Sequence, residues 1–232
     1  MALQKIVYKS SRESMRVRNF FHGVAFRLEA VLLSGYRKDE RIIALIKRLK
    51  RERDMAVTAG EAYTVYSLAQ TQRQVEGDMA EVGVYKGGTA RLICEAKGDI
   101  PLHLFDTFEG LPEPREADEG FFQPGWYTGE LEEVRAFLQG YENVFFYPGF
   151  FPETAAPVAE REFSFVHLDV DLHQSMADCL EFFHPRLVQG GVILAHDYQM
   201  PGAREALQTY VERNKSIRMI ELANSQCLVI KM

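Results

Sequence analysis

The chain has 232 residues, 47% of them hydrophobic, and a formal net charge of −6. That is room for one ordinary α/β domain with an N-terminal extension, and ample apolar material for its core. The charge is uneven: residues 1–57 carry 14 Lys and Arg against 6 Asp and Glu, and the remainder carries 13 against 27, so a basic head (+8) sits on an acidic body (−14). The acidic body argues against a nucleic-acid partner, and a solvated helix face or contact with a neighbouring subunit is the commoner cause of such a head. Cys94, Cys179 and Cys227 lie far apart, inside apolar patterns and without metal-ligand spacing, as buried thiols of a reducing compartment do. The apolar run from Phe20 to Leu33 is interrupted by His22, Arg27 and Glu29 and is shorter than the ~20 residues that span a bilayer. No leader with a small-residue cleavage site precedes it, and the expectation is a cytoplasmic homo-oligomer without a membrane partner.

From Ser14 to Met55 apolar residues recur at helical spacing, broken near Ser34-Gly35, which predicts two amphipathic helices. A third helix follows over Gly60 to Gln70. The division expected is a helical extension or lid over 1–57 and a catalytic body over 58–232. In the body, strands are predicted at Asp78 to Val84, Leu102 to Asp106, Val144 to Pro148, Phe163 to Asp169 and Gly191 to His196. Helices are predicted between them at Thr89 to Lys97, Leu131 to Leu138 and Met176 to Leu187, with another at Ala203 to Arg213. The stretch from Thr107 to Gly129, with Pro112, Pro114 and Pro124, reads as a long loop. Ile217 to Leu222 and Cys227 to Lys231 close the chain as a hairpin. Such alternation predicts a Rossmann-like, doubly wound, mostly parallel sheet with an antiparallel C-terminal edge.

Ligands of an open parallel sheet bind beyond the carboxyl ends of its strands, and polar residues collect there in this chain. Glu81-Val82-Gly83-Val84-Tyr85-Lys86-Gly87-Gly88-Thr89 follows the first strand and opens a helix. Gly83 permits a sharp turn, Gly87 and Gly88 free amides at the helix start, and Glu81 is expected to face a cofactor. Asp106 ends the second strand at the distance of an acid that holds ribose hydroxyls. The dinucleotide pattern G-x-G-x-x-G is absent, which favours S-adenosylmethionine over NAD. Asp169, Asp171 and Asp197 end later strands, and buried carboxylates need a partner, a divalent metal among the candidates. Phe121, Phe122, Trp126 and Tyr127 are expected as an aromatic lid over the acceptor. The rival readings are a nicotinamide-dependent oxidoreductase, a donor-binding module without catalysis, and a nucleic-acid methyltransferase that grips RNA or DNA with the basic head.

On the glycine turn, Phe105-Asp106-Thr107-Phe108-Glu109-Gly110-Leu111-Pro112, Gly149-Phe150-Phe151-Pro152-Glu153-Thr154, Leu168-Asp169-Val170-Asp171, and Gly190-Gly191-Val192-Ile193 with His196-Asp197-Tyr198, the chain resembles the macrocin O-methyltransferase (TylF) family. The resemblance runs from about Gly60 to Asn214 and implies a class I methyltransferase fold, S-adenosylmethionine as donor and usually Mg²⁺. It implies that Glu81, Gly83, Tyr85 and Thr89 surround the methionine part of the donor, that Asp106 holds its ribose, and that Phe108 with Gly149 and Phe150 lie near the adenine. Asp169 and Asp197 become metal ligands and Asp171 the general base for a small-molecule acceptor, a sugar by family likeness. The family has two consecutive acids where this chain has His196-Asp197, so His196 enters the metal set, and Mn²⁺, Fe²⁺, Zn²⁺ or no metal become alternatives to Mg²⁺. Without a metal, His196 or His173, where the family more often has Tyr, is the candidate base.

Overall fold

Short runs rich in Val, Ile, Leu and Phe build the sheet, and the turns between them point one group of side chains at a single crevice. The structure, a computed structural model, describes residues 15–36, 38–118 and 120–232, so Ser14 and the first part of the basic head lie outside the described residues. The strands are β1 (Asp78–Val82), β2 (Leu102–Asp106), β3 (Val144–Pro148), β4 (Phe163–Leu168), β5 (Leu187–Ala195), β6 (Ile217–Glu221) and β7 (Cys227–Lys231). Their order in the sheet is β3-β2-β1-β4-β5-β7-β6. The first five are parallel, and β7 pairs antiparallel with β5 and with β6. The chain winds outward from β1 through β2 to β3, then returns to β4 on the other side of β1. Strand order therefore reverses between β1 and β4, where such sheets open a binding crevice.

Among the described residues seven helices flank the sheet: α1 (Met15–Gly35), α2 (Glu40–Glu52), α3 (Ala59–Gln72), α4 (Gly88–Lys97), α5 (Leu131–Phe137), α6 (His173–Arg186) and α7 (Pro201–Arg213). The period-two alternation of the strands divides the core. Ala80, Val82, Phe105, Val166 and Ile193 pack with Met176, Leu180 and Phe183 of α6 and Leu207 of α7, whereas Met79, Leu104, Phe165 and Leu194 pack with Val65 and Ala69 of α3 and Ile93 of α4. A third cluster joins Phe26 and Ala30 of α1 and Ile46 and Leu49 of α2 to Ala59 and Ala62 of α3 and Leu92 of α4. The N-terminal helices thus share their core with the body. The opposite face of α1, with Phe20, Leu28, Val31 and Leu32, is exposed. Among the described residues no helix is long and apolar enough to cross a membrane.

Several element ends differ from expectation, each for a tertiary reason. β1 stops at Val82 because Gly83 (φ +89°) and Tyr85 (φ +52°) adopt the left-handed region and turn the chain away. α6 begins at His173, three residues before the apolar periodicity does, because both carboxylate oxygens of Asp118 accept its backbone N–H at 3.1 Å. That cap comes from a single 3₁₀ turn, Glu116–Asp118, inside the stretch expected to be loop; a second, Glu153–Val158, precedes β4. β5 starts at Leu187, four residues before Gly191, directly out of α6.

A Cβ at position 83 would overlap the backbone carbonyl oxygen of Asp169, at the reversal point itself. Gly83→Ala is therefore expected to destabilise the fold by about 2–3 kcal/mol, from a strained φ and an overpacked contact. Urea denaturation of the variant beside the parent checks this.

Candidate active site

The turn after β1 is held down by Asp106. Its Oδ2 accepts the N–H of Val84 (2.7 Å) and of Tyr85 (2.8 Å), and its Oδ1 accepts that of Phe108 (2.7 Å). Burial outweighs those three amides and raises the carboxyl pKa above the usual range. A carboxylate offers about four acceptor positions, so Asp106 keeps acceptor capacity toward the crevice while it shapes the turn. Tyr85 in turn donates its hydroxyl to Asp54 (3.1 Å), in the segment that joins α2 to α3.

Beyond the ends of β1, β2, β4 and β5 lies a cavity of about 290 Å³. Of the residues expected to bind a cofactor, Gly83, Tyr85, Asp106, Gly149 and Phe150 line it. Asp169, Asp171, His196 and Asp197 line it as well. Glu81, Gly87, Gly88, Thr89 and Phe108 lie off its wall. Glu81 is fully buried on the α3 and α4 side of the sheet, where Oε1 meets Nδ1 of His167 at 2.8 Å, because its register partner on β4 is that histidine. Thr89 is a hydrogen-bond partner of the same buried carboxyl. Gly88 makes room for Met55, whose side chain a Cβ would overlap, and Gly87 faces Val134. Phe108 is buried in the core cluster of that same face. At the start of α4 a Cβ at either glycine would therefore crowd a packed side chain.

Of the four aromatics expected as a lid, Phe121 and Tyr127 reach the cavity, while Phe122 is buried and Trp126 packs against the core. His173 is not on the wall; it sits over Gly202 beside the Asp118 cap. Phe21 of α1 and Ala56 also line the cavity, and so do Ser175, Cys179, Gln199 and Met200, which no sequence motif singled out as site residues. The helical extension is thus part of the site.

The most charged corner surrounds His196. Its Nδ1 lies 3.1 Å from Asp169 Oδ1 and 3.2 Å from Asp197 Oδ2, and its Nε2 lies 3.3 Å from Glu61 Oε2 and 3.1 Å from Ser225 Oγ. Glu61, a buried residue of α3, accepts hydrogen bonds from the hydroxyl of Ser225 and the backbone N–H of Thr58. Its sequence signal, the T-x-x-E of a capping box, is real, and Thr58 does cap α3, but the pattern says nothing of a second duty. Burial opposes charge on the imidazole, yet Asp169, Asp197 and Glu61 together raise its pKa well above the ordinary value. Burial likewise opposes charge on Glu61 and Asp169, and His196 reverses the effect, lowering both. A ring held this way keeps its proton or, with that proton displaced, serves as a ligand. Asp171, also on the cavity wall, adopts a left-handed conformation (φ +59°), as does Asp197 (φ +60°). Non-glycine residues held there mark sites where surroundings override local preference.

Residues 65–229 match the family model of the macrocin-O-methyltransferase (TylF). The chain belongs to this family. Among curated proteins it is similar to the 8-demethyl-8-(2,3-dimethoxy-alpha-L-rhamnosyl)-tetracenomycin-C 4'-O-methyltransferase of Streptomyces olivaceus, at 32% identity over 152 residues, 59% of this chain and 58% of the relative. The chain spans about three-fifths of the length of the curated relatives it matches. Among solved structures it is similar to the O-methyltransferase NovP (TM-score 0.66, 22% identity, 76% of this chain and 81% of that one). Another is an O-methyltransferase from Bacillus cereus in complex with SAH (TM-score 0.56, 13% identity, 84% and 92%). At those identities the likeness shows a shared fold, the Rossmann-like sheet described above.

The Glu61 and His196 pair of this TylF-family chain also sets a pH window in the metal-free protein. Its histidine part is fully present below the ordinary imidazole pKa of 6.5 and is lost as pH rises through the raised folded value. Its carboxylate part is present above the ordinary 4.5 and is lost as pH falls through the lowered one. Glu61→Gln is expected to cost about 3–5 kcal/mol of stability. Chemical denaturation across pH should give the largest difference from the parent between 4.5 and 6.5, shrinking on either side.

Proposed function

We propose that the protein transfers a methyl group from S-adenosylmethionine to a hydroxyl oxygen of a small natural-product acceptor, of the sugar-bearing class that the name of its tetracenomycin relative describes. One observation supports the reading: at the reversal point of the sheet, the Gly83 turn with Asp106 and a cluster of acids and imidazole share one cavity. Family membership supplies the reaction class.

On this reading Asp106 and Gly149 hold the adenosine side of the donor and Phe150 covers its base, while Gly83 leaves room for the donor against the backbone. Tyr85, tied to Asp54, flanks the methionine side. The acceptor enters beneath Phe21, Phe121 and Tyr127, whose rings exclude water from the reacting atoms. Its oxygen forms a bond to the methyl carbon as the carbon–sulfur bond breaks, the electron pair stays on sulfur as a neutral thioether, and the hydroxyl proton passes to Asp171. The protein contributes mainly alignment, with the reacting atoms ~3–3.5 Å apart. Asp169, His196 and Asp197, each offering a ligand atom within 4.8 Å of the others, fit a divalent cation. Such an ion, when bound, lowers the pKa of an acceptor hydroxyl beside it.

Calorimetry with S-adenosylmethionine and with NAD(P) separates this reading from an oxidoreductase: donor binding is expected, and NAD(P) binding alone contradicts it. Asp171→Asn should lower methyl transfer, read as product mass, by about 10²–10⁴-fold, the size of a general-base contribution, and leave donor affinity within about twofold. A parent protein that binds the donor yet forms no product from any sugar-bearing acceptor would make it a binding module.

A further inference from the structure

The cation site of this chain differs in kind from a ring of carboxylates, and a residue outside that site governs the difference. Two of its atoms, Nδ1 of His196 and Oδ2 of Asp197, are buried and make no hydrogen bond, although each lies beside the other and both face Asp169. The side chains that carry them are more than nine-tenths buried. Two buried, unpartnered polar atoms that converge are a costly arrangement unless something sits between them. Ligand atoms held ~2.1–2.2 Å from one ion at right angles lie ~3.0–3.1 Å apart. The separations seen here are 3.1 and 3.2 Å.

The other ring nitrogen decides which metal is meant. Nε2 of His196 faces Glu61, and Glu61 is fixed independently by the Thr58 backbone N–H and the Ser225 hydroxyl. With its proton on Nε2 and directed at Glu61, the ring presents a lone pair at Nδ1 toward the two aspartates. A carboxylate behind a ligating imidazole is the usual device for fixing ring orientation and tautomer. We propose that Asp169, Asp197 and Nδ1 of His196 form a two-carboxylate, one-imidazole centre for a first-row transition ion such as Mn²⁺ or Fe²⁺ in preference to Mg²⁺, and that Glu61 of α3 is the positioning residue that aims the imidazole. This inference rests on the proposed methyl transfer only for its purpose, because the centre is defined by ligand geometry. Imidazole nitrogen suits Fe²⁺, and two carboxylates beside it make a mixed set that Mn²⁺ also takes, whereas Mg²⁺ selects oxygen ligands and retained water. The arrangement also makes α3 part of the metal centre, since the carboxylate that caps the helix is the one behind the ring.

The test is metal binding by the intact protein, stripped of metal and without substrate. Mn²⁺ is titrated by calorimetry in competition with Mg²⁺, and the bound Mn²⁺ is examined by pulsed electron paramagnetic resonance for coupling to a ¹⁴N nucleus. The expected result is one Mn²⁺ per chain, bound at least tenfold more tightly than Mg²⁺, with a directly coordinated nitrogen. His196→Asp should remove the nitrogen coupling and narrow the preference for Mn²⁺ over Mg²⁺. Glu61→Gln should weaken Mn²⁺ by about 10–100-fold. Should Glu61→Gln not fold, as circular dichroism would reveal, the parent and His196→Asp still decide the question. Absence of Mn²⁺ binding, or bound Mn²⁺ without nitrogen coupling, overturns the proposal and leaves the imidazolium itself as the cation among the carboxylates. Mn²⁺ affinity unchanged in folded Glu61→Gln overturns the positioning role. None of these outcomes depends on donor binding or product formation, so failure here is distinguishable from failure of the methyltransferase reading.

Discussion

One desolvated corner, where Glu61, Asp169 and Asp197 surround His196, organises the functional end of this molecule. Three carboxylates crowded into a largely buried corner cannot all remain ionised without a cation among them. The imidazole, or an ion that it helps to hold, meets that requirement. The four residues come from α3, from the chain after β4 and from the chain after β5. Their mutual attraction therefore fixes the helical N-terminal region against the carboxyl edge of the sheet. It adds to a junction that apolar packing and the Tyr85–Asp54 and Arg53–Glu133 contacts also hold.

Asp106 plays the corresponding part on the other side of the reversal point. Its two oxygens gather the amides of Val84, Tyr85 and Phe108, so that the turn after β1 and the turn after β2 are one unit. Gly83 then lets β1 approach the carbonyl of Asp169 closely. The Asp106 side and the acid side of the cavity are thereby linked through backbone. The chemistry assigned to the site needs this rigidity, because methyl transfer from a sulfonium asks for alignment more than for activation.

Much of this was legible in the sequence, and the exceptions share a cause. The five parallel strands announce themselves as short apolar blocks, and the residues that end them, Asp106, Asp169, Asp171, His196 and Asp197, do line the cavity. What could not be read locally depends on partners far along the chain. Glu81 looks like a cofactor acid until His167, 86 residues away, is found against it on the neighbouring strand. Gly87 and Gly88 read as glycines that free amides at a helix start, and the side chains that a Cβ there would meet, Val134 and Met55, are not legible locally. Glu61 looks like a helix cap, and is one, but its second partner is a histidine on the far side of the sheet sequence. The early start of α6 likewise depends on Asp118, 55 residues upstream. Period and spacing report which face a residue occupies; they do not report what waits on that face.

The N-terminal helices read from the sequence as an extension or lid, and Phe21 of α1 does form part of the cavity wall, while the segment joining α2 to α3 braces Tyr85 through Asp54. The central claim is that this single cavity seats the methyl donor between Asp106 and the His196 corner. A crystal structure of the protein with S-adenosylhomocysteine tests it most directly: the ribose should lie at Asp106, the adenine by Phe150, and the sulfur should face Asp171. Density for that ligand elsewhere on the molecule, or a cavity that stays closed to it at saturating concentration, would contradict the account.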